Sequence, residues 1–322
     1  MNIPEYTFLI TGGAGFIGSN IVEFLMEANA KKVRVLDDLS NGFYQNISKY
    51  ERSLNFEFIE GDIRDQDICN KVMEGIDFVS HQAALGSVPR SIKDPSLTHS
   101  VNVNGFLNVI TAAKNAGVRG FVYASSSSVY GDSKVMPKRE DLIGKPLSPY
   151  AVSKLSNELY AQAFAEVYKF QSVGLRYFNI FGPRQDPDSQ YSAVIPLFMK
   201  ASLDKKAPVI FGDGLQSRDF TFVKNAVQAN LKALFYKDDL KEARVYNIAV
   251  GQNISLLSLW DKISGFSQLS LDPIFKAART GDVKDSLADI SLSIDEIGYS
   301  PNSNFLESLE ETFNWYKLNY KK

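Results

Sequence analysis

The run Thr11-Gly12-Gly13-Ala14-Gly15-Phe16-Ile17-Gly18 directly follows a short apolar segment, Thr7 to Thr11, and opens a stretch of helical periodicity from Phe16 to Ala28. Few folds put spaced glycines at the junction of a first strand and a first helix. The missing side chains allow a tight turn and let an anionic group approach the backbone N–H groups at the helix start. Gly13, Gly15 and Gly18 fit G-x-G-x-x-G, while Gly12, Gly15 and Gly18 fit G-x-x-G-x-x-G. Both spacings predict a dinucleotide, with Gly12, Gly15, Phe16, Ile17 and Gly18 around its pyrophosphate. A Gly-rich turn without ligand is the competing explanation, and Asp37 weighs against it. This residue ends the second apolar run, 19 residues after Gly18. A carboxylate there hydrogen-bonds the adenosine ribose hydroxyls and repels a 2′-phosphate. No basic residue occurs from Asp38 to Gly42, so NAD is expected over NADP. Asp62 and Ile63, at the end of the third run, are the expected adenine contacts.

The rest of the first half repeats one alternation. Short β-branched runs at Thr7–Thr11, Val33–Asp37, Phe56–Glu60, Phe78–His81, Phe121–Ser125 and Ser172–Tyr177 read as strands. Helical patterns lie between them at Phe16–Ala28, Pro95–Ala116 and Ala151–Tyr168, with Gly117 as a C-terminal stop for the middle one. Strands alternating with helices predict βαβ units and a doubly wound parallel α/β sheet. After Asn179 the punctuation changes to Gly182-Pro183, Asp186-Pro187 and Gly212-Asp213-Gly214. A dinucleotide-binding domain is therefore expected over residues 1–179 and a smaller substrate-binding domain over 180–322. The apolar run Ala243–Ala249 reads as a strand returning to the first sheet, so that about 220–250 would belong with the first domain and the two would interleave.

Composition narrows the partners. The 35 Lys and Arg against 37 Asp and Glu leave a net charge of -2, too little to gather nucleic acid or anionic lipid. One cysteine, Cys69, and two histidines supply neither an internal disulfide nor a zinc site. Met1 to Thr11 lacks the basic-then-apolar pattern of a secretory signal, and no apolar run reaches the roughly 20 residues of a membrane span. A cytoplasmic protein is expected.

The chemistry is carried by serines at 125–128, which end the fifth strand, and by Tyr150 and Lys154, four apart on one helix face. A tyrosine hydroxyl has an unperturbed pKa of about 10, so it becomes a base near neutrality only where positive charge favours the phenolate. Lys154 and an oxidised nicotinamide would both supply such charge. Tyr-x-x-x-Lys alone is more often an ordinary amphipathic helix face. Its order after the glycine loop, Asp37 and the serine run favours a catalytic role.

These pieces, together with Gly-Asp-Ile-Arg-Asp at 61–65, His-Gln-Ala-Ala at 81–84, Asn-Val-Asn-Gly at 102–105, Ser-Ser-Ser-Val-Tyr-Gly-Asp at 126–132 and Pro-Tyr-Ala-Val-Ser-Lys at 149–154, resemble the extended short-chain dehydrogenase/reductase family, and within it the UDP-sugar 4-epimerases. Arg-Tyr-Phe-Asn at 176–179, Arg-Asp-Phe at 218–220 and Arg-Thr-Gly-Asp at 279–282 extend the resemblance over nearly the whole chain. It implies a Rossmann-type sheet with bound NAD, a catalytic triad of Ser126, Tyr150 and Lys154, and Ala83 and Asn102 lining the cofactor site. Asn179, Arg218, Arg279 and Asp282 would hold a UDP-sugar, and the protein would be a homodimer through Pro95–Ala116 and Ala151–Tyr168. The net reaction would be inversion at C4 through a transient 4-keto sugar.

Around the hexose the resemblance places Gly86, Ser126, Tyr150, Asn179, Ala193 and Ser286. Hexose-restricted relatives carry larger groups at the positions of Gly86, Ala193 and especially Ser286, where a tyrosine narrows the pocket. The smaller residues here imply room for a 2-acetamido group, with Ser87 and Ser127 as hydrogen-bond partners, and hence UDP-GlcNAc and UDP-GalNAc as substrates. UDP-N-acetylhexosaminuronate or UDP-glucuronate epimerisation is the enzymatic alternative, although glucuronate enzymes usually show threonine in place of Asn179. Related sugar dehydratases and decarboxylases carry an acid just after the catalytic hydroxyl residue, where this chain has Ser127 and Ser128. A noncatalytic NAD sensor is the alternative of another class, one that often lacks the tyrosine or lysine retained here.

Overall fold

The computed structural model describes residues 2–189, 192–236, 243–277 and 285–320. Seven strands form one parallel sheet: β1 (Thr7–Thr11), β2 (Lys32–Asp37), β3 (Phe56–Glu60), β4 (Phe78–His81), β5 (Gly120–Ser126), β6 (Val173–Tyr177) and β7 (Arg244–Ile248). Their spatial order is β7-β6-β5-β4-β1-β2-β3. Because side chains alternate across a strand, successive residues enter opposite layers. Phe8, Val35 and Phe78 join the first helix, Phe16–Glu27, and the helix Val223–Leu234 on one face. Leu9, Leu36 and Val79 join the helices Gln66–Val72, Phe106–Ala116 and Pro149–Tyr168 on the other. Burial on both faces explains why these strands read as continuous apolar runs.

Two helices differ from their sequence patterns. The helix expected from Ala151 starts at Pro149, with the Ser148 hydroxyl accepting from Ala151 N at 3.1 Å. Ser-Pro at N-cap and N1 is a strong initiation signal because proline has no N–H to leave unpaired. The pattern read as one helix over Pro95–Ala116 is broken by a π turn at Ser100–Gly105. Here the Asn102 amide bonds Leu85 N at 2.8 Å and the Ser153 hydroxyl at 3.1 Å. Gly105 also sits so close to Ile63 that a Cβ would lie 2.5 Å from its side chain.

Beyond the sheet, the helices Val194–Leu203, Leu256–Phe266 and Phe305–Asn319 pack around Phe198, Trp260, Phe313 and Tyr316. Three short strands, Ser217–Arg218, Ile254–Ser255 and Asp285–Ser286, pair beside them. Since β7 pairs with β6 and the helix Val223–Leu234 packs on the main sheet, we propose the two-domain division at residue 179 with about 220–250 returning to the first domain. Among the described residues no helix is long and apolar enough to cross a membrane.

The long helix is fastened to the sheet by a buried ion pair. Arg176 on β6 donates from Nε to Glu158 Oε1 at 3.0 Å and from Nη2 to Oε2 at 2.8 Å. Its Nη1 donates to the Tyr130 hydroxyl at 3.1 Å and to Glu140 O at 3.0 Å, while Ser125 donates to Glu158 Oε1 at 2.5 Å. Both charged side chains are at most 5% exposed. Arg176→Met should strand the Glu158 carboxylate and lower stability by about 3–5 kcal/mol, measured as a fall in the urea or thermal midpoint. A parental midpoint would show that the pair does not hold the helix.

Candidate active site

In an open parallel sheet a crevice forms outside the carboxyl ends of the strands where their order reverses. Here that place lies between β1 and β4. A cleft of about 420 Å³ opens there, lined by the glycine loop, Asp37, Ile63, Gln82 to Gly86, Ser126, Tyr150, Lys154 and Tyr177. The glycines of the loop have different reasons to be glycine. Gly12 has φ +69°, and a Cβ would lie 2.6 Å from Ala83 N. At Gly18 a Cβ would meet Gly12 O at 2.1 Å. These two are demanded by the fold itself. Gly15 has an ordinary φ of -76°, and its Cβ would meet only Gly12 O at 3.2 Å. Its side-chain-free surface faces the cleft, at a helix start with no side-chain cap and no acid in the first turn. That combination fits a bound pyrophosphate. Phe16 and Ile17 line the same wall.

Asp37 is buried at the end of β2, where its carboxylate accepts from Ala14 N and Leu39 N, both at 2.9 Å. Burial pushes its carboxyl above the ordinary range, against these two hydrogen bonds. Each oxygen retains a lone pair for a ribose hydroxyl. Of the two expected adenine contacts, Ile63 and Asp62, only the former lines the cleft. Asp62 turns to Arg64, whose Nε donates to it at 2.8 Å and whose side chain holds its carboxyl low. Ala83 lines the cleft, but Asn102 is buried behind it, its amide committed to Leu85 and Ser153. Asn102 thus braces the wall from behind.

Ser126, Tyr150 and Lys154 reach the same cleft. Ser126 Oγ accepts from Ser128 N at 3.1 Å, which turns its proton away from the backbone. Burial pushes the Tyr150 phenol above its ordinary value, with the Ser126 hydroxyl acting in the opposite sense. Lys154 donates to Ala124 O at 2.8 Å, and burial lowers its ammonium to about 8, countered by Glu158. One of its three protons fixes the group and the others remain for ligands in the cleft. Burial and the nearby Lys154 hold His81 down at about 3, so this histidine is neutral, bonded through Nδ1 to the Thr11 hydroxyl at 2.7 Å.

A second cavity of about 280 Å³ adjoins the first, with Ile180 and Gln185 common to both walls. It gathers Asn179, Ala193 and Arg218. Gly86 belongs to the larger cleft, where a Cβ would have nothing within 4 Å. Ser87 caps the helix Val88–Lys93, its Oγ accepting from Arg90 N at 3.1 Å. Ser127 lies half-buried on the turn after Ser126. Ser286 pairs in register with Arg218, and among the described residues it lines neither cavity. Arg279 and Asp282 lie outside the described residues.

Sequence reasoning missed two features. Tyr177 and Gln82 face the cleft and are locked together, the Tyr177 hydroxyl donating to Gln82 Oε1 at 3.1 Å while Asn230 donates to that hydroxyl at 2.7 Å. The only local signal was their position at strand ends. Gln185, in the shared wall, lies in a loop whose neighbour Arg184 bonds Asn20 and Glu23 of the first helix at 2.7 and 2.6 Å. Proximity across some 160 residues leaves no mark in a local pattern.

The glycine loop separates fold from ligand experimentally. Gly15→Ala should change the thermal midpoint far less than Gly18→Ala yet lose tightly bound dinucleotide, as measured by cofactor release and titration, because its Cβ enters the cleft and otherwise meets only Gly12 O at 3.2 Å. Gly18→Ala should lower the midpoint itself. Parental cofactor affinity in Gly15→Ala would overturn the placement.

Residues 8–249 match the model described as the NAD dependent epimerase/dehydratase family. A putative UDP-glucose 4-epimerase of Methanocaldococcus jannaschii is 35% identical, covering 97% of this chain and 98% of that protein. The solved UDP-N-acetylglucosamine 4-epimerase of Methanobrevibacter ruminantium, in complex with UDP-N-acetylmuramic acid, is 40% identical with a TM-score of 0.92, over 97% of this chain and 98% of that one. The UDP-glucuronic acid 4-epimerase of Bacillus cereus, solved with UDP-glucuronic acid and NAD, is 33% identical with a TM-score of 0.89, over 97% and 99%. With a cleft of this geometry and similarity running the length of the chain, the protein belongs to the NAD dependent epimerase/dehydratase family.

Proposed function

We propose that this chain is a UDP-sugar 4-epimerase that interconverts UDP-GlcNAc and UDP-GalNAc. The observation that carries the reading is the convergence of Ser126, Tyr150 and Lys154 in the glycine-loop cleft, next to a second cavity that shares the Ile180 and Gln185 wall. NAD, when bound, supplies a hydride acceptor that gives the same hydride back, so no oxidant is consumed. Tyr150 takes the C4 hydroxyl proton as the sugar becomes a 4-keto sugar and returns it after the sugar has turned. The Lys154 ammonium favours the phenolate and holds a cofactor ribose hydroxyl. Ser126 donates to the reacting oxygen. Asn179 and Arg218, with Arg279 and Asp282, hold the nucleotide while the hexose is released to rotate.

Two small residues support the acetamido group, the open space at Gly86 and Ala193 on the second cavity's wall, and Ser286, beside Arg218 but on neither cavity wall, is the proposed gate by resemblance. Ser87 and Ser127 are its candidate hydrogen-bond partners. The similarity to an enzyme named for UDP-N-acetylglucosamine agrees with this choice, and that to a glucuronate enzyme keeps UDP-glucuronate and UDP-N-acetylhexosaminuronate as the second reading. A noncatalytic sensor would have no need of Lys154 at an ammonium-to-backbone bond inside the cleft. The exposed Leu97, Val152, Leu159 and Tyr160 on the helices Pro95–His99 and Pro149–Tyr168 support a homodimer through those faces. The cysteine-poor composition supports a cytoplasmic protein.

Tyr150→Phe should retain NAD and the parental fold while turnover falls by roughly 10²–10⁴-fold, followed by chromatographic conversion of UDP-GlcNAc; near-parental rates would refute the proton role. Lys154→Met should release NAD more readily and move the acidic limb of the pH–rate profile upward, since the phenolate loses its neighbouring charge. An unmoved limb would remove that electrostatic role. Ser286→Tyr should exclude the N-acetylated sugars while sparing UDP-glucose and UDP-galactose, changing the ratio of kcat/KM values by roughly 10–200-fold. A parental ratio would show that Ser286 is not the gate.

A further inference from the structure

Asp219 follows Arg218 at a point where several segments of the chain meet, and no part of it is exposed. Its carboxylate accepts from Val250 N and Gly251 N, both at 3.0 Å, in the turn after β7, and from Ala288 N at 3.3 Å. Its own N–H donates to Ser286 O at 2.9 Å, and its carbonyl accepts from Asn179 Nδ2 at 3.1 Å. Asn179 stands two residues past the end of β6 with φ +37°, in the left-handed region where the backbone needs outside support. Asn179, Arg218 and Ser286 come from three separate segments, and each is bonded to or adjacent to Asp219.

We infer that Asp219 is a positioning residue for the UDP-sugar pocket: without reaching the ligand, it fixes the relative places of Asn179, Arg218 and Ser286. The inference rests on the UDP-sugar reading above. Stability alone gives a poor account of this residue. Burial pushes its carboxyl up to about 6 even though backbone N–H groups pull it down, so the site opposes the ionised form. What a carboxylate supplies, and an apolar side chain does not, is a single point on which N–H groups from two different segments converge. Those segments are Val250–Gly251, after β7, and Leu287–Ala288, where Ala288 bridges Lys138. The second directly follows Ser286, so the junction carries the proposed gate as well as the nucleotide clamp.

The experiment compares Asp219→Asn and Asp219→Ala with the parent as full-length, NAD-loaded protein, using UDP-GlcNAc and UDP-glucose as probes. Asn keeps one acceptor oxygen and Ala keeps none. KM should rise by roughly tenfold in the Asn variant and further in the Ala variant, with kcat falling far less, since the loss is of binding shared by ground and transition states. NAD content should stay at the parental level. Parental KM values in both variants, or equal losses in kcat and NAD content, would overturn the inference. Where neither variant folds, hydrogen exchange on the parent decides: saturating UDP-GlcNAc should slow exchange in peptides spanning 249–252 and 285–289, and unchanged exchange there would overturn it. Failure of the underlying reading looks different, because then the parent itself neither binds nor converts either probe.

Discussion

The buried pair between Glu158 and Arg176 sets the register of everything above it on the long helix. Tyr150, Lys154 and Glu158 are spaced by four and lie along one helix face. Glu158 is held bidentately by Arg176 from β6 and singly by Ser125 from β5. Two adjacent strands thereby fix the helix's rotation and height, and with them where the tyrosine hydroxyl and lysine ammonium enter the cleft. Such a pair is costly to desolvate, and apolar packing often does as well for stability. A hydrophobic contact, however, is non-directional. Planar guanidinium against carboxylate gives an orientation, and catalysis by a positioned proton acceptor depends on orientation more than on net stability.

The same pair acts electrically. Glu158 is the group that counters the burial-driven fall of the Lys154 ammonium, which otherwise would lie below about 8. The carboxylate that Arg176 holds in place is thus also the one that keeps the Lys154 ammonium up at about 8 against its burial. The structural anchor and the tuning of the lysine thus share one side chain. They cannot be altered separately.

What the sequence made legible was local. The glycine loop, Asp37 and the strand runs were readable because each depends on neighbours within about one turn or one strand, and six of the seven sheet strands were found within one residue at each end, as was the returning β7. The start of the long helix was misplaced by two residues even though Ser148-Pro149 carried its signal. The π turn at Ser100–Gly105 was invisible because its causes, Leu85, Ser153 and Ile63, are contacts across the fold. For the same reason the local pattern carries no sign that the Asn102 amide bonds Leu85 and Ser153, nor does it show that Asp62 bonds Arg64. Asp219 shows the limit most clearly. Its motif Arg-Asp-Phe drew attention to the arginine, while the aspartate's partners lie some 30 to 70 residues away.

On the proposed reading, a further constraint follows from the need for the sugar to turn over between two hydride transfers. A hexose bonded firmly to the wall in one orientation would have to break those bonds to present its other face. Binding energy must therefore reside mainly in the nucleotide, at Asn179, Arg218 and their neighbours, and the hexose must be selected largely by the volume of its enclosure. Selection by volume is weak, about 1–3 kcal/mol for a small apolar increment, whereas a buried polar group left unpaired discriminates far more strongly. Small residues at 86, 193 and 286 then enlarge the set of accepted sugars without rejecting smaller ones. Preference among UDP-sugars in such an enzyme is graded, and the residues that grade it are those whose side chains are small.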